Sequence, residues 1–400
     1  MQPRFNAITL LAAVMLAVVG CGKDEPKTAP APAPKAAAPA TPPAPAELVV
    51  RIGSVAPTTG PIAHLGKDNE NGVKLAVDDI NAQKIIIDGK VLKLELLTED
   101  DQADPKQGTT VAQKLVDAKV VAVVGHLNSG TTIPASKIYS DAGIPQVSPS
   151  ATNPRYTEQG FKTAFRVVAN DVQQGGAVGA YVAKDMKAKS VAIIDDRTAY
   201  GQGVADEVEK AAKAGGAQIV AREFTTDKAT DFKAILTKIK GRNPDVIFYG
   251  GMDATGGPMA KQARDLGVKS KFVMADGGCS PEFIKLAGDA AEGFICSIPG
   301  TPVDKLSKGE EFKKRYKDKF GSDVQIYSPN AYDATMVLVE AMKRANSADP
   351  AKFLPELGKT SYEGVTGKIE FDDKGDLRSG AITIYEAKGG KLDVLTTVGG

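Results

Sequence analysis

Two short turns rich in hydroxyl groups follow neighbouring apolar segments of the chain. Ser129-Gly130-Thr131 comes just after the apolar run KVVAVVG, and Ser150-Ala151-Thr152 comes just after IPQVS. The runs resemble strands, and the pattern after the first turn predicts a helix. The N–H groups and the dipole at a helix N-terminus favour an anion, and Ser and Thr hydroxyls are neutral donors for a carboxylate. The alternative is that these hydroxyls only cap the helix.

Asp276 is the candidate counterpart of the two turns. It ends the strand-like segment KFVMAD, and ligands of open α/β sheets bind at the carboxyl ends of strands. A carboxylate there could hold an ammonium group, although an isolated Asp at a strand end also serves as a turn former. Tyr200, which opens a helix after SVAIIDD, could face the same cleft or simply pack.

The sequence lacks the residue patterns of common enzyme and cofactor sites. It contains no GxxxxGK[ST] phosphate loop and no GxSxG nucleophile turn. His64 and His126 are too few, and too short of Cys or acidic partners, to form a metal site. We therefore expect no catalytic residue, no metal and no cofactor.

The charge balance argues against a nucleic-acid partner. The chain has 400 residues with 50 basic and 49 acidic side chains, so its formal net charge is +1. A nucleic-acid-binding surface usually requires a clear basic excess. We therefore expect no nucleic acid among the partners.

The N-terminus has the features of an export signal. Residues 1–20 combine Arg4 with the apolar run NAITLLAAVMLAVV, which is shorter than the roughly 20 residues that span a bilayer. The following VVGC resembles a bacterial lipobox, which implies cleavage before Cys21 and diacylglycerol on its thiol; the alternative is an ordinary signal peptide. Residues 21–47 are dense in Pro and Ala, which predicts an extended linker that tethers a globular body to a membrane.

Two further cysteines, Cys279 and Cys296, lie in the second half of the chain. Two thiols in an exported protein can form a disulfide that closes a small loop. The alternative is two free, buried thiols.

Strand-like and helix-like segments alternate from Glu47 onward, which is typical of βαβ units and parallel sheets. The chain is too long for one core, so we predict an α/β fold of two Rossmann-like lobes with parallel central sheets. We assign residues 48–170 and 299–366 to the N-terminal lobe, and residues 171–298 and 367–400 to the C-terminal lobe. In the tail, GKIEFDDKGDLRSGAITIYEAKGGKL predicts two antiparallel strands joined by a turn at Asp373 to Asp376.

The chain resembles the bacterial periplasmic Leu/Ile/Val-binding proteins of ABC transporters, which have the type I periplasmic-binding-protein fold. The segments that carry the resemblance include IGSVAPTTGPIAHLGKDNENGVKLAVDDIN, VVGHLNSGTTIPAS, VSPSATNP, DDRTAYGQGVADEVEKA, DVIFYGG and FDDKGDL. Each is weak alone, but their order is specific, and they extend over nearly the whole body of the chain. The resemblance implies a hinge of three crossings between the lobes and a cleft that closes on its ligand.

The resemblance also implies a role for each candidate residue. The ligand carboxylate would bind Ser129 and the turn formed by Ser150, Ala151 and Thr152, and the ammonium would meet Thr152 and Asp276. Tyr200 would cover the ligand. The pocket for the ligand side chain would be lined by Leu65, Leu127, Asn128, Met252 and Tyr327.

Three positions depart from the family pattern. Asp276 stands where the best-known members have Glu, and Met252 and Leu65 each replace an aromatic residue. A shorter acid must approach the ammonium more closely or act through a water molecule. The two aliphatic replacements make the pocket more adaptable.

By resemblance, the protein is expected to be the substrate-binding component of an ABC importer for neutral aliphatic L-amino acids. It would be a periplasmic monomer held to a membrane by its lipid alone, with the permease subunits as partners. One alternative is a sensor of amino acids or amides that has the same fold but is not coupled to transport. Another is an exported α/β enzyme, for which the sequence shows no nucleophile–base pair.

Overall fold

The computed structural model describes residues 46–399. The signal peptide expected at residues 1–20 and the lipidation site at Cys21 lie outside the described residues. So does the linker expected at residues 21–47, except for its last two positions, and Glu47 is already the first residue of a strand. Within the described chain, no helix is both long and apolar enough to cross a membrane.

Strands and helices alternate along most of the described chain. The strands are β1 (Glu47–Ala56), β2 (Ile86–Ile87), β3 (Lys90–Asp100), β4 (Ala122–Gly125), β5 (Gln146–Ser148), β6 (Ala164–Arg166), β7 (Ser190–Asp195), β8 (Gln218–Phe224), β9 (Val246–Gly250), β10 (Lys271–Met274), β11 (Ile295–Pro299), β12 (Ser361–Glu363), β13 (Lys368–Glu370), β14 (Ile382–Lys388) and β15 (Lys391–Val398). The α-helices are α1 (Ala63–Ala82), α2 (Pro105–Asp117), α3 (Ser129–Asp141), α4 (Arg155–Glu158), α5 (Asp171–Lys184), α6 (Ala199–Ala214), α7 (Lys233–Lys240), α8 (Asp253–Asp265), α9 (Pro281–Ala287), α10 (Gly309–Phe320), α11 (Ser328–Ala345) and α12 (Pro350–Leu357).

The first lobe is built on a sheet with the strand order β2-β3-β1-β4-β5-β6. All neighbouring strands are parallel except β2, which pairs antiparallel with β3. Helices α1, α10, α11 and α12 pack on one face, and α2 and α3 pack on the other. Because β4 is buried on both faces, its sequence is apolar without alternation.

The second lobe is built on a sheet with the strand order β15-β14-β11-β10-β9-β7-β8. The five strands from β11 to β8 are parallel, and β14 and β15 extend the sheet as antiparallel strands. Helices α5 and α6 pack on one face, and α7, α8 and α9 pack on the other. The two sheets, each with helices on both faces, confirm the predicted α/β class with two parallel-sheet lobes.

The chain passes between the lobes three times. Residues 167–170 connect β6 to α5, residues 300–308 connect β11 to α10, and residues 371–381 connect β13 to β14. The N-terminus of α5 carries a capping box, in which the Asn170 side chain accepts from the Gln173 N–H and the Gln173 side chain accepts from the Asn170 N–H. These caps fix the direction in which the chain enters the second lobe.

The third crossing lies later in the chain than the predicted boundary after residue 366. Ile369 and Phe371 pack in the core of the first lobe, and the ring centroid of Phe371 lies 5.0 Å from that of Phe165. The segment that directly follows residue 366 therefore belongs to the first lobe.

The antiparallel pair predicted in the tail is also wrong. β13 pairs with β12, whereas β14 pairs with β11 and β15. The turn at Asp373 to Asp376 connects only an isolated bridge between Phe371 and Leu377. An alternating pattern identifies strands but not their partners, and here the partners belong to different lobes.

Cys279 and Cys296 form a disulfide, with their Cα atoms 5.3 Å apart. The bond joins the loop after β10 to the neighbouring strand β11, across 17 residues of sequence. The same loop carries Asp276, so the disulfide restrains the segment that presents this carboxyl group.

Replacing both Cys279 and Cys296 with Ala is expected to lower the free energy of unfolding by about 3 kcal/mol, because the unfolded chain regains the freedom of the closed loop. Urea denaturation followed by circular dichroism measures the change. A reductant should destabilise the wild-type protein and leave the double variant unaffected. Equal unfolding midpoints for the two proteins without reductant would contradict the expectation.

Candidate functional site

The first hydroxyl-rich turn forms the N-terminus of α3. Asn128 occupies the N-cap position, but its side chain makes no capping hydrogen bond. Thr131 donates its hydroxyl to the Asn128 carbonyl oxygen at 3.1 Å, so it acts locally. Ser129 is almost fully buried, and its Oγ accepts from the N–H of Asn153 at 3.2 Å. The helix therefore presents its first N–H groups without a side-chain cap, beside a buried serine that touches the second turn.

The second turn is held against the first by its own donors. Ser150 donates its hydroxyl to the carbonyl oxygen of Leu127 at 3.0 Å, and the Ala151 N–H donates to Ser148 Oγ at 2.9 Å. Thr152 is fully buried, and its Oγ1 has no hydrogen-bond partner among residues 46–399. The Ser150 hydroxyl and the Ala151 N–H are therefore already bonded within the lobe, whereas the Thr152 hydroxyl is not.

The acid at the end of β10 lies between two phenols. Asp276 is 1 % exposed; its Oδ1 accepts from Tyr200 Oη at 2.9 Å and its Oδ2 from Tyr327 Oη at 2.7 Å. Tyr200 belongs to the second lobe and Tyr327 to the first, so the carboxyl group is clamped across the cleft. Burial raises the pKa of Asp276, although the two phenol hydrogen bonds oppose that effect.

A small apolar cluster lies next to this clamp. Leu65, Leu127 and Tyr327 are buried together in the first lobe, and Met252 of the second lobe packs against them. A cavity of about 470 Å³ opens beside the cluster, and Asn128, Tyr200 and Met252 are among its lining residues. The structure thus places the predicted side-chain pocket residues where the two lobes meet.

Asp171 is a further residue of this region, and no sequence motif pointed to it. It is the first residue of α5, it is fully buried, and neither carboxyl oxygen has a hydrogen-bond partner in the part of the chain that the structure describes. Burial raises the pKa of Asp171 to about 8, and the charge of Asp276 adds to the shift. The backbone N–H of Asp171 donates to the Thr152 carbonyl oxygen at 2.9 Å. Two buried acids therefore lie near each other, close to Thr152.

Gly203 allows helix α6 of the second lobe to lie close to the turn of the first lobe that carries Thr152 and Asn153. A Cβ at this position of α6 would lie 2.4 Å from Asn153 Nδ2 and 2.5 Å from Asp171 Oδ2. Any side chain would push α6 away from the turn that carries Thr152. The Asn153 side chain also donates to the Ala199 carbonyl oxygen at the start of α6, at 2.6 Å. In the sequence, Gly203 is marked only as the last residue of the YGQG segment that begins at Tyr200. That segment does not reveal which groups the glycine faces.

Arg166 connects the hinge to the second turn. Its buried guanidinium donates to Asp376 Oδ1 at 2.6 Å, to the Ala151 carbonyl oxygen at 2.6 Å and to the Asn153 carbonyl oxygen at 2.9 Å. Arg166 ends β6 before the first crossing, and Asp376 lies in the third. The ion pair therefore fixes two crossings and the backbone on both sides of Thr152.

The second histidine of the sequence, His126, has its partners within the first lobe. His126 is buried between Asp101 and Tyr139, at 2.9 and 3.1 Å. Among the residues that the structure describes, no group of three His, Cys, Asp or Glu side chains is arranged to hold a metal ion.

Comparison with known proteins identifies the relatives of the chain. Residues 49–391 match the family model described as periplasmic binding protein. A Leu/Ile/Val-binding protein homolog 1 from Brucella abortus is 37% identical over 344 residues, which is 85% of this chain and 90% of the relative. A leucine-, isoleucine-, valine-, threonine- and alanine-binding protein from Pseudomonas aeruginosa is 34% identical over 84% of this chain and 89% of its own length.

A solved structure supports the same relationship. The substrate-binding protein of a branched-chain amino acid transporter from Streptococcus pneumoniae, in complex with isoleucine, superposes with a TM-score of 0.78 at 28% identity. The match covers 88% of this chain and 100% of that protein.

Replacing Asp376 with Asn is expected to lower the free energy of unfolding by about 3–5 kcal/mol, because the Arg166 charge would remain buried without its partner. Thermal and urea unfolding measure the loss. The matched control is Asp141→Asn, which removes the exposed pair with Lys137 and should change stability little. Similar losses in the two variants would contradict the importance assigned to the buried pair.

Proposed function

The chain belongs to the periplasmic binding protein family, and from this membership and the cleft geometry we propose that it is the substrate-binding component of an ABC importer for neutral aliphatic L-amino acids. Its family comprises binding proteins of transporters rather than enzymes. The observation that carries the proposal is the buried carboxyl group of Asp276, which phenols from both lobes hold in the cleft.

The carboxylate of the amino acid would bind at the N-terminus of α3. There the helix dipole and the first N–H groups attract an anion, and no side-chain cap competes for them. The hydroxyls of Ser129 and Thr152 would add neutral donors. Ser150 and Ala151 would contribute by shaping the turn, since their side-chain hydroxyl and N–H group, respectively, are already bonded within the lobe.

The ammonium group would face Asp276, with Asp171 as a second acid nearby. A buried carboxylate is unfavourable unless a cation accompanies it, and burial raises the pKa of both acids. A ligand ammonium would supply that cation. Its charge would favour the ionised carboxylates, so recognition of the α-amino group would be coupled to the loss of any proton that they hold.

The aliphatic side chain would contact the cluster of Leu65, Leu127, Met252 and Tyr327. One methylene in an apolar pocket changes binding by only about 1–3 kcal/mol, so leucine, isoleucine and valine should be distinguished weakly. The flexible thioether of Met252 would let the pocket adapt to each of them. The names of the relatives from Brucella abortus and Pseudomonas aeruginosa, which include several aliphatic amino acids, agree with this expectation.

Closure of the cleft would retain the ligand. The hydrogen bonds from Tyr327 to Asp276 and from Asn153 to Ala199 each join the first lobe to the second. Both would break if the lobes separated about the three crossings. A hinge motion of this kind fits a cycle in which the protein captures an amino acid and passes it to membrane permease subunits.

Membership of the family implies a location in the periplasm. We extend the proposal to a lipid on Cys21, which would tether the binding protein near the permease through the Pro- and Ala-rich linker. The protein would act as a monomer, since one chain supplies both sides of the cleft.

Leucine should bind at least about 100-fold more tightly than its keto acid, 4-methyl-2-oxopentanoate, because the keto acid leaves Asp276 without a cation. Isothermal titration calorimetry measures both affinities. In the Asp276→Asn variant the leucine affinity should fall towards that of the keto acid. Leucine affinity should also weaken as the pH is lowered through the raised pKa of Asp276, because the protonated carboxyl group no longer attracts the ammonium. Equal affinities of the wild-type protein for leucine and the keto acid would exclude this role of Asp276.

A Cys21→Ser variant should lose incorporation of labelled fatty acid, because the diacylglycerol has no thiol to which it can attach. Metabolic labelling of cells that express each protein measures the change. A Cys279→Ala and Cys296→Ala variant is the control, since it keeps Cys21. Labelling of the Cys21→Ser protein would contradict the proposed anchor.

A further inference from the structure

His64 and Asp253 form a contact across the cleft, outside the site described above. His64 is the second residue of α1 in the first lobe, and Asp253 is the first residue of α8 in the second. His64 Nε2 lies 2.7 Å from Asp253 Oδ2. The Asp253 side chain is fully buried, whereas 26% of the His64 side chain is exposed.

The second lobe holds the Asp253 carboxyl group in place for this contact. Ser280 Oγ donates to Asp253 Oδ2 at 2.5 Å and accepts from the N–H of Phe283 at 3.1 Å. Ser280 directly follows Cys279, so the disulfide restrains it. Asp253 Oδ1 has no hydrogen-bond partner among residues 46–399. Within the second lobe, Ser280 orients the Asp253 carboxyl group but leaves part of its hydrogen-bonding capacity unused. His64 of the first lobe supplies a further partner.

The contact is adjacent in sequence to the proposed ligand pocket on both sides. His64 precedes Leu65, and Asp253 follows Met252, and these neighbours pack in the same apolar cluster. A movement that separates Leu65 from Met252 must also separate the imidazole from the carboxyl group. Formation of the pair is therefore coupled to closure over the space that the ligand side chain would occupy.

We propose that His64 and Asp253 form a latch that stabilises the closed cleft, and that protonation of the His64 imidazole strengthens it. The proposal rests on the proposed function, because it concerns closure on a bound amino acid. His64 and Asp253 are positioning residues in this account: they hold the lobes together and need not touch the ligand.

The groups that surround His64 determine the direction of the pH effect. Burial lowers the pKa of His64, but the hydrogen bond and charge of Asp253, followed by the charges of Glu282 on α9 and Asp68 on α1, raise it above its ordinary value of 6.5. Opening the cleft removes the Asp253 contact, so the closed form should bind the proton more tightly. The added stabilisation is fully present below the open-state pKa and is lost as the pH rises through the closed-state pKa.

Titration of His64 by nuclear magnetic resonance tests the latch directly. The chain has two histidines, so an untagged protein gives two imidazole signals, and a His64→Gln variant assigns them. The pKa of His64 should be higher in leucine-saturated protein than in ligand-free protein. An Asp253→Asn variant should remove most of that difference.

Calorimetry with leucine provides the functional readout. Gln at position 64 keeps a hydrogen-bond donor but cannot gain a proton, so His64→Gln should bind leucine about as well as wild type at pH 8.5. The variant should bind leucine about three- to tenfold more weakly than wild type at pH 5.5, where the wild-type His64 imidazole is protonated. At each pH, the ratio of the wild-type affinity to the His64→Gln affinity reports the effect of His64 alone. The effects of Asp171 and Asp276 cancel, because both proteins contain these acids.

The outcomes separate the latch from the proposed function. If wild type and His64→Gln differ in leucine affinity by the same factor at pH 5.5 and pH 8.5, the latch alone is overturned. The same holds if the pKa of His64 does not change when leucine binds. Failure of the wild-type protein to bind leucine overturns the proposed function and, with it, the latch. A lower melting temperature of ligand-free His64→Gln would indicate a general structural role, which also contradicts the proposal.

Discussion

The buried ion pair between Arg166 and Asp376 is the interaction on which the rest of the cleft depends. It joins the first crossing to the third, and the same guanidinium binds the carbonyl oxygens of Ala151 and Asn153 on either side of Thr152. Because each charge is buried against the other, neither partner can be removed without leaving an isolated charge in the interior. A single group of hydrogen bonds therefore joins two of the crossings to the turn that carries Thr152.

A second constraint is the burial of acids where the lobes meet. Asp171, Asp253 and Asp276 are each almost fully buried, and a carboxylate in such a place is unfavourable without a cation. The three acids differ in what the chain provides. The carboxyl group of Asp276 has two phenols and that of Asp253 has a histidine and a serine, whereas that of Asp171 has no hydrogen-bond partner within the described chain. Under the proposed function, the ligand ammonium supplies the missing charge near Asp171 and Asp276, and the His64 imidazolium supplies it for Asp253.

The candidate site residues at the ends of strands could be predicted from the sequence. Those whose character depends on contacts with distant segments could not. The turns at Ser129 and Ser150 and the acid at Asp276 follow apolar strands, and such positions lie at the ligand-binding edge of an α/β sheet. Asp171 escaped selection because an acid at the first position of a helix is ordinarily a favourable charge at the helix dipole. Its unusual character comes from burial by Gly203 on α6, and burial by a distant segment leaves no local pattern.

The sequence by itself determined the α/β class, the two lobes and the order of most strands and helices, because hydrophobic periodicity and turn residues are local properties of the chain. Only the tertiary structure decided the partners of β13 and β14, the position of the third crossing after β13, and the pairing of Cys279 with Cys296. It also decided that Tyr327 and Tyr200 meet on opposite oxygens of Asp276. These outcomes depend on which distant segments exclude water from one another, and that choice is made by the packing of the whole chain.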